Sequence, residues 1–82
     1  MRLSPVHRYI LRAMLDGAAL KAHRTLDGAK VHLLHPLAGP AEPVDPAAVE
    51  YLRRHGLIAS NMKFPVATYI LTEAGAAAMM KR

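Results

Sequence analysis

The feature that most constrains the fold of this 82-residue chain is the segment HGLIASNMKFPVATYILTEAG, residues 55 to 75. Gly56 is a typical helix end, because glycine readily adopts the left-handed backbone conformation that closes many helices. The apolar runs 57–58 and 66–71 flank a polar, proline-containing stretch, which indicates two strands joined by a turn. Thr72 is suited to cap the helix that follows. The segment therefore predicts a helix end, a two-stranded β element and a capped final helix.

Two more helices are indicated by a capping side chain followed directly by proline, at Ser4-Pro5 and Asp45-Pro46. Proline suits the first helical position, because its φ is already near the helical value and it has no N–H to leave unpaired. The first helix carries an apolar stripe at helical spacing and is expected to end near Gly17. The stripe consists of Val6, Tyr9, Ile10, Ala13 and Met14. The second helix is expected to bury Val49 and Leu52.

The stretch between these helices begins ALKAHRTLDGAKVHLLHP and contains Asp27-Gly28, a pair that two-residue hairpin turns favour. A turn at this pair predicts a register in which His23 faces His32 and Arg24 faces Val31. One face of the hairpin would then be apolar, formed by Leu20, Ala22, Leu26, Val31 and Leu33. The opposite face would be polar and basic, formed by Lys21, His23, Thr25, Lys30 and His32.

The proline-rich stretch LHPLAGPAEPVDP, residues 34 to 46, has no periodicity and is expected to be a loop. The whole chain, 1–82, is then one α+β domain with the order helix, β-hairpin, loop, helix, two-stranded wing, helix. Asn61 to Pro65 would form the wing tip. The last three elements are those of a winged helix. The hairpin is a departure, since the usual scheme has another helix at that place.

Composition narrows the class of protein. The chain has no cysteine and no apolar run near the roughly 18 residues of a membrane span, and its N-terminus lacks a signal-peptide pattern. We therefore expect a cytoplasmic protein that does not associate with membranes. The net charge of +5 favours an anionic partner, either nucleic acid or an acidic protein surface.

The predicted helix before the wing is poorly equipped to read DNA. Base reading relies on Arg, Lys, Asn and Gln near the start of such a helix, and this one begins PAAVE. Arg53 and Arg54 come late, the wing holds a single cation, Lys63, and Phe64 lies near its tip. The candidate partner or nucleic-acid surface comprises Lys21, His23, Lys30, His32, Arg53, Arg54, Lys63 and Phe64.

Catalytic and metal chemistry are not indicated. His23 and His32 would be neighbours in the predicted hairpin, but no carboxylate or thiol lies near enough to complete a metal site. No nucleophile stands beside a base, and the glycines are isolated rather than grouped into a phosphate-binding loop. We expect a non-enzymatic protein with no cofactor and no metal.

Taken whole, the sequence resembles the YjhX-type family of small bacterial proteins, which are toxin components of toxin–antitoxin pairs. The residues that carry the likeness are Met1, Leu3-Ser4, Leu11, Gly17, Arg24, Gly28, Val31, the LxxxxLI segment ending at Ile58, and Tyr69 to Gly75. The resemblance implies a winged-helix-like protein that acts by binding, with a DNA-handling enzyme such as a topoisomerase as target. The chain departs from the family in the proline-rich loop and the NMKFP tip, so no individual functional residue is carried over.

Two functions follow as expectations. The first is a small basic binding protein, a toxin or a phage-type inhibitor, that acts by protein–protein contact on a nucleic-acid-processing enzyme or complex. The alternative is a winged-helix transcriptional regulator, dimeric through its terminal helices, that contacts double-stranded DNA through its phosphates. Binding to a partner protein, to duplex DNA and to a second copy all stay open at this point.

Overall fold

The computed structural model describes residues 2–61 and 66–80. Over these residues the protein is α+β, with three helices and one five-stranded antiparallel sheet. The elements, in chain order, are α1 (Pro5–Leu15), β1 (Ala19–Arg24), β2 (Lys30–His35), β3 (Glu42–Pro43), α2 (Pro46–Arg54), β4 (Ile58–Ser60), β5 (Val66–Leu71) and α3 (Glu73–Met80). The strand order across the sheet is β3-β2-β1-β5-β4. None of the described helices has the length and apolar character needed to cross a membrane.

The α+β class is confirmed, whereas the winged-helix order is not, because the strand count and the strand order differ from it. Residues 34 to 46 are not wholly a loop, since β2 runs on to His35 and the short strand β3 pairs with Leu33 and Leu34. The hairpin and the two later strands are also not separate units. β1 pairs with β5, from Leu20 opposite Tyr69 to His23 opposite Val66, and this joins both parts into one sheet.

The predicted helix ends are confirmed by local hydrogen bonds. Ser4 Oγ accepts from the His7 N–H at 3.3 Å, and the Ser4 N–H donates to His7 Nδ1 at 3.0 Å, which together form a capping box. Asp45 caps α2 by accepting from the Ala47 N–H at 3.0 Å. Thr72 Oγ1 accepts from the Gly75 N–H at 3.1 Å, as expected of the cap of α3. Each cap joins residues only two or three positions apart, which is why the sequence predicts these helix starts.

The predicted hairpin register is wrong by one residue. Ala22, not His23, lies opposite His32, and Arg24 lies opposite Lys30. The loop has three residues rather than two, because the Thr25 N–H donates to the Ala29 carbonyl at 2.8 Å and the Gly28 N–H donates back to the Thr25 carbonyl at 3.0 Å. Gly28, at φ +89°, supplies the left-handed residue that follows the turn in such loops. One extra loop residue reverses the faces to which the β2 side chains point.

One face of the sheet is covered by the helices. Its side chains are buried together with Ile10, Leu11 and Met14 of α1 and Ala48, Val49 and Leu52 of α2. From the strands and the turn after α2, the core receives Leu20, Ala22, Leu34, Leu57, Ile58 and Tyr69. Helix α3 approaches very closely at Gly75, where an added Cβ would lie 2.1 Å from the Leu57 carbonyl oxygen. This position therefore requires glycine.

Candidate functional site

The other face of the sheet carries no covering helix among the described residues. We call it the open face, and define it by the alternate residues of β1, β2, β4 and β5 that point away from the core. They are Ala19, Lys21, His23, Val31, Leu33, His35, Ala59, Val66, Thr68 and Ile70. Not one of these ten residues is buried, whereas their neighbours along each strand, such as Leu20 and Leu34, are fully buried. The alternation of burial shows that the helices protect one side of the sheet only.

The open face carries aliphatic side chains on β2 and β5, whereas β1, which lies between these strands, carries Lys21 and His23. Ile70 is 61% exposed and Val66 is 40% exposed, which are large fractions for branched aliphatic side chains in a strand. Val31 and Leu33 of β2 are partly exposed and lie directly opposite His23 and Lys21 of β1. The side chains of this surface thus combine aliphatic area with basic and hydroxyl groups, a combination suited to contact with another macromolecule.

No carboxylate lies on the open face. All six acidic residues of the chain fall within the described ranges, at Asp16, Asp27, Glu42, Asp45, Glu50 and Glu73. Four of them lie in turns or on helices, and Asp45 caps α2. Glu42 is paired with Leu34 on the helix-covered side, and its carboxylate accepts from the Tyr9 hydroxyl of α1. The charge on the open face therefore comes from Lys21.

The structure separates the residues that sequence reasoning placed together on the hairpin. Lys21 and His23 lie on the open face, as expected of a partner surface. Lys30 and His32 lie on the helix side instead, because the three-residue loop shifts the register of β2. His32 is only 6% exposed, so it does not form a surface pair with His23. The prediction that Lys30 and His32 share one face with Lys21 and His23 is therefore wrong.

His32 is an unusual member of the core. Among the described residues, Nδ1 of its ring has no hydrogen-bond partner, and the ring of Tyr69 is 6.2 Å away. Burial lowers the pKa of His32 below its ordinary value of 6.5, and nearby Lys30 lowers it further, while Glu50 opposes both. The imidazole is therefore neutral near pH 7. The neutral, buried ring therefore adds a packing surface and an unsatisfied nitrogen to the core. It adds no charge to the predicted partner surface.

The arginines of α2 lie on its last turn, away from the open face. Arg53 is bound in a two-point ion pair with Glu50, with Nε–Oε1 at 3.0 Å and Nη2–Oε2 at 2.5 Å. This hydrogen bonding lowers the pKa of the Glu50 carboxyl and raises that of Arg53. Arg54 is exposed beside the pair. Lys63 and Phe64 lie outside the described residues.

Sequence reasoning missed the contribution of β5 to the surface. The alternation of Val66, Thr68 and Ile70 with Ala67, Tyr69 and Leu71 was a signal of two-faced character, but nothing local indicates that β5 lies beside β1. A separate group, also missed, stacks across α1 and α2. The ring of Tyr51 lies 4.2 Å from that of His7 and 4.3 Å from that of His55, and its hydroxyl donates to the Arg2 carbonyl.

No site for a metal ion can be assembled from the described residues, which contain no group of three or more His, Asp or Glu side chains in suitable positions. Comparison of the chain with models of protein families, with curated proteins and with solved structures found no match. The open face and the surface of α2 are therefore the candidate functional surfaces of the described residues.

Proposed function

We propose that the chain is a small, non-enzymatic binding protein, toxin-like or inhibitor-like, which acts by contact with a nucleic-acid-processing enzyme or complex. The observation that carries the proposal is the open face: a sheet surface with exposed Ile70 and Val66, basic side chains and no carboxylate. Exposed apolar side chains bordered by polar ones are a common feature of surfaces that contact another macromolecule. The resemblance to the YjhX-type family supplies the class of target and is part of the proposal.

The surface of α2 favours a protein partner over sequence-specific DNA. An arginine that reads a base needs its guanidinium free to point both donors at the base edge. Arg53 already donates through Nε and Nη2 to Glu50, and the carboxylate of Glu50 would itself repel a phosphate backbone. Two-point base reading by Arg53 would require its ion pair with Glu50 to break first.

The second candidate is a winged-helix regulator that binds duplex DNA. It is favoured by the net charge of +5 and by the succession of a helix, two antiparallel strands and a helix formed by α2, β4, β5 and α3. Its contacts would be to phosphates, through Lys21, Arg54 and the other exposed cations. In this case affinity would fall steeply with salt and show little preference for sequence.

Affinity capture followed by an activity assay tests the first candidate. The tagged chain is expressed in its native host, its protein partners are isolated, and each purified partner is assayed with and without added chain. We expect at least one partner to process nucleic acid and to lose activity at a stoichiometric amount of the chain. Recovery of partners whose nucleic-acid reactions the chain leaves unchanged would contradict the proposal.

A fluorescence-polarisation titration with labelled duplex separates the two candidates. At about 50 mM and about 200 mM salt, the regulator predicts tight binding at low salt and a large loss at the higher concentration. The binding protein predicts weak binding at both concentrations. A sequence-dependent affinity at the higher concentration would favour the regulator and count against protein contact as the main activity.

A further inference from the structure

We infer that the open face is the docking surface, and that its partner presents an acidic amphipathic helix: an apolar stripe flanked by Asp or Glu. This inference rests on the proposed function and deepens it by naming the surface and the chemistry of the partner. The inference is based on the proximity of exposed Ile70 and Val66 to Lys21, on a face that has no carboxylate.

The dimensions of the open face suit one helix. Strands β1, β2 and β5 each have six residues, which at the rise of an extended strand gives a length of about 20 Å. The four strands that form the face span about 14 Å between the outermost pair. A helix is about 10 Å across, and about 14 helical residues cover 20 Å. The chain's own helices cover the opposite side of the sheet, so an added helix would complete a layered α/β/α arrangement.

Charge selects the kind of helix. Thr68 lies opposite Lys21 and Val66 opposite His23, so the cationic group of β1 borders the aliphatic residues of β5. With no carboxylate on the face, a basic helix would meet only like charge, whereas Glu or Asp beside the apolar stripe would pair with Lys21. A second copy of the chain would bring another Lys21 and no carboxylate to the contact, so no charge pair could form, which disfavours self-association through this face.

Selection from a displayed peptide library tests the inference directly. The library fixes an apolar stripe at helical spacing and places Glu, Lys, Gln or Ser in equal proportion at the flanking positions, and the immobilised chain selects from it. We expect Glu to be enriched at those positions. Enrichment of Lys, no enrichment, or failure to select any helix would overturn the inference while leaving the affinity capture and activity assay unaffected.

Variants of the chain then locate the surface. With a selected peptide, Ile70→Asp and Lys21→Glu should each weaken binding by about tenfold or more. The matched controls are Val6→Asp and Arg8→Glu, which make the same changes of charge on exposed positions of α1, and they should change affinity less than about twofold. Circular dichroism checks that all four variants are folded. Equal losses in variants and controls would overturn the assignment of the open face.

Two further measurements test whether the open face binds a second copy of the chain or duplex DNA instead of an acidic helix. Sedimentation of the chain alone should give a monomer, and a dimer that Ile70→Asp dissociates would identify a second copy and overturn the acidic partner. If Lys21→Glu weakens duplex DNA binding to the same extent as peptide binding while Ile70→Asp changes neither, the surface would be a phosphate-binding one and the inference would fail. Tighter binding of the Lys21→Glu variant to a Lys-flanked version of the selected peptide would support it.

Discussion

Replacement of His32 by leucine should stabilise the protein, although the residue lies in the core. His32 is 6% exposed and, among the described residues, its Nδ1 has no hydrogen-bond partner. A buried polar group without a partner costs about 1–3 kcal/mol. Leucine has a similar volume but a different shape, and repacking after such an exchange costs up to about 1.5 kcal/mol. The free energy of unfolding should therefore rise by about 1 kcal/mol, which corresponds to about 4–8 °C in Tm for a domain of this size.

The pH dependence gives a second, independent signature. The pKa of His32 is lowered in the folded protein, so between that value and 6.5 the unfolded chain binds more protons than the folded one. The stability that the neutral ring contributes is present at higher pH and is lost as the pH falls below about 6.5. The free energy of unfolding of His32→Leu should consequently exceed that of the parent by more at lower pH, and this difference should grow by at most about 1.4 kcal/mol per pH unit for one proton.

Urea unfolding followed by circular dichroism, at about pH 8 and about pH 5, measures both effects, and the chain has no tryptophan for fluorescence. His23→Leu removes a histidine from the open face and is the control for the loss of one imidazole. The reasoning would be refuted if His32→Leu were less stable than the parent at pH 8 and if the difference in free energy of unfolding between variant and parent were the same at pH 8 and pH 5. That result would mean that His32 forms a stabilising hydrogen bond in solution.

Three further predictions concern the fold and the surface of α2. Gly75→Ala should lower the free energy of unfolding by about 2–3 kcal/mol, because the added Cβ would collide with the Leu57 carbonyl oxygen. Thermal melts measure this change, and a loss below about 1 kcal/mol, the usual scale for an ordinary helix substitution, would contradict the close approach. Gly28→Ala should lower the free energy of unfolding by about 1 kcal/mol, because φ is +89° at this position, and Gly28→Asn should lower it less. If urea unfolding gave the parent and both variants the same stability, the three-residue loop would be contradicted. Glu50→Gln should free Arg53 and raise the affinity for duplex DNA at low salt, and an unchanged affinity would show that the ion pair does not limit DNA binding.

The elements that depend on near neighbours were predictable from the sequence. Ser4-Pro5 and Asp45-Pro46 begin helices because the cap accepts an N–H two or three residues ahead and the proline has no N–H to lose. The strand 66–71 and the cap at Thr72 follow in the same way from short-range chemistry. For the three caps the partner atoms lie within one turn of the chain, and for the strand the alternation of side chains is itself local, so neither needs information from distant residues.

The register of the hairpin could not be settled locally, because Asp27-Gly28 suits both a two-residue turn and the three-residue loop that forms. The pattern of β2, KVHLLH, is also ambiguous, since either parity puts aliphatic side chains toward a core. The helices decide between the two: Leu20 and Leu34 are fully buried beneath them as a cross-strand pair, and this forces His32 to the same side. The unsatisfied nitrogen of His32 is a consequence of that choice.

The candidate site was the part that only the tertiary structure decided. The sequence by itself determined the three helices, the strands other than β3, the basic charge and the absence of base-reading side chains at the start of α2. The open face exists because β5 pairs with β1, some 45 positions away in the chain, and because all three described helices lie on the other side of that sheet. Contacts of that separation arise from packing of the whole chain, since strand pairing is set by which faces the helices bury rather than by any local preference.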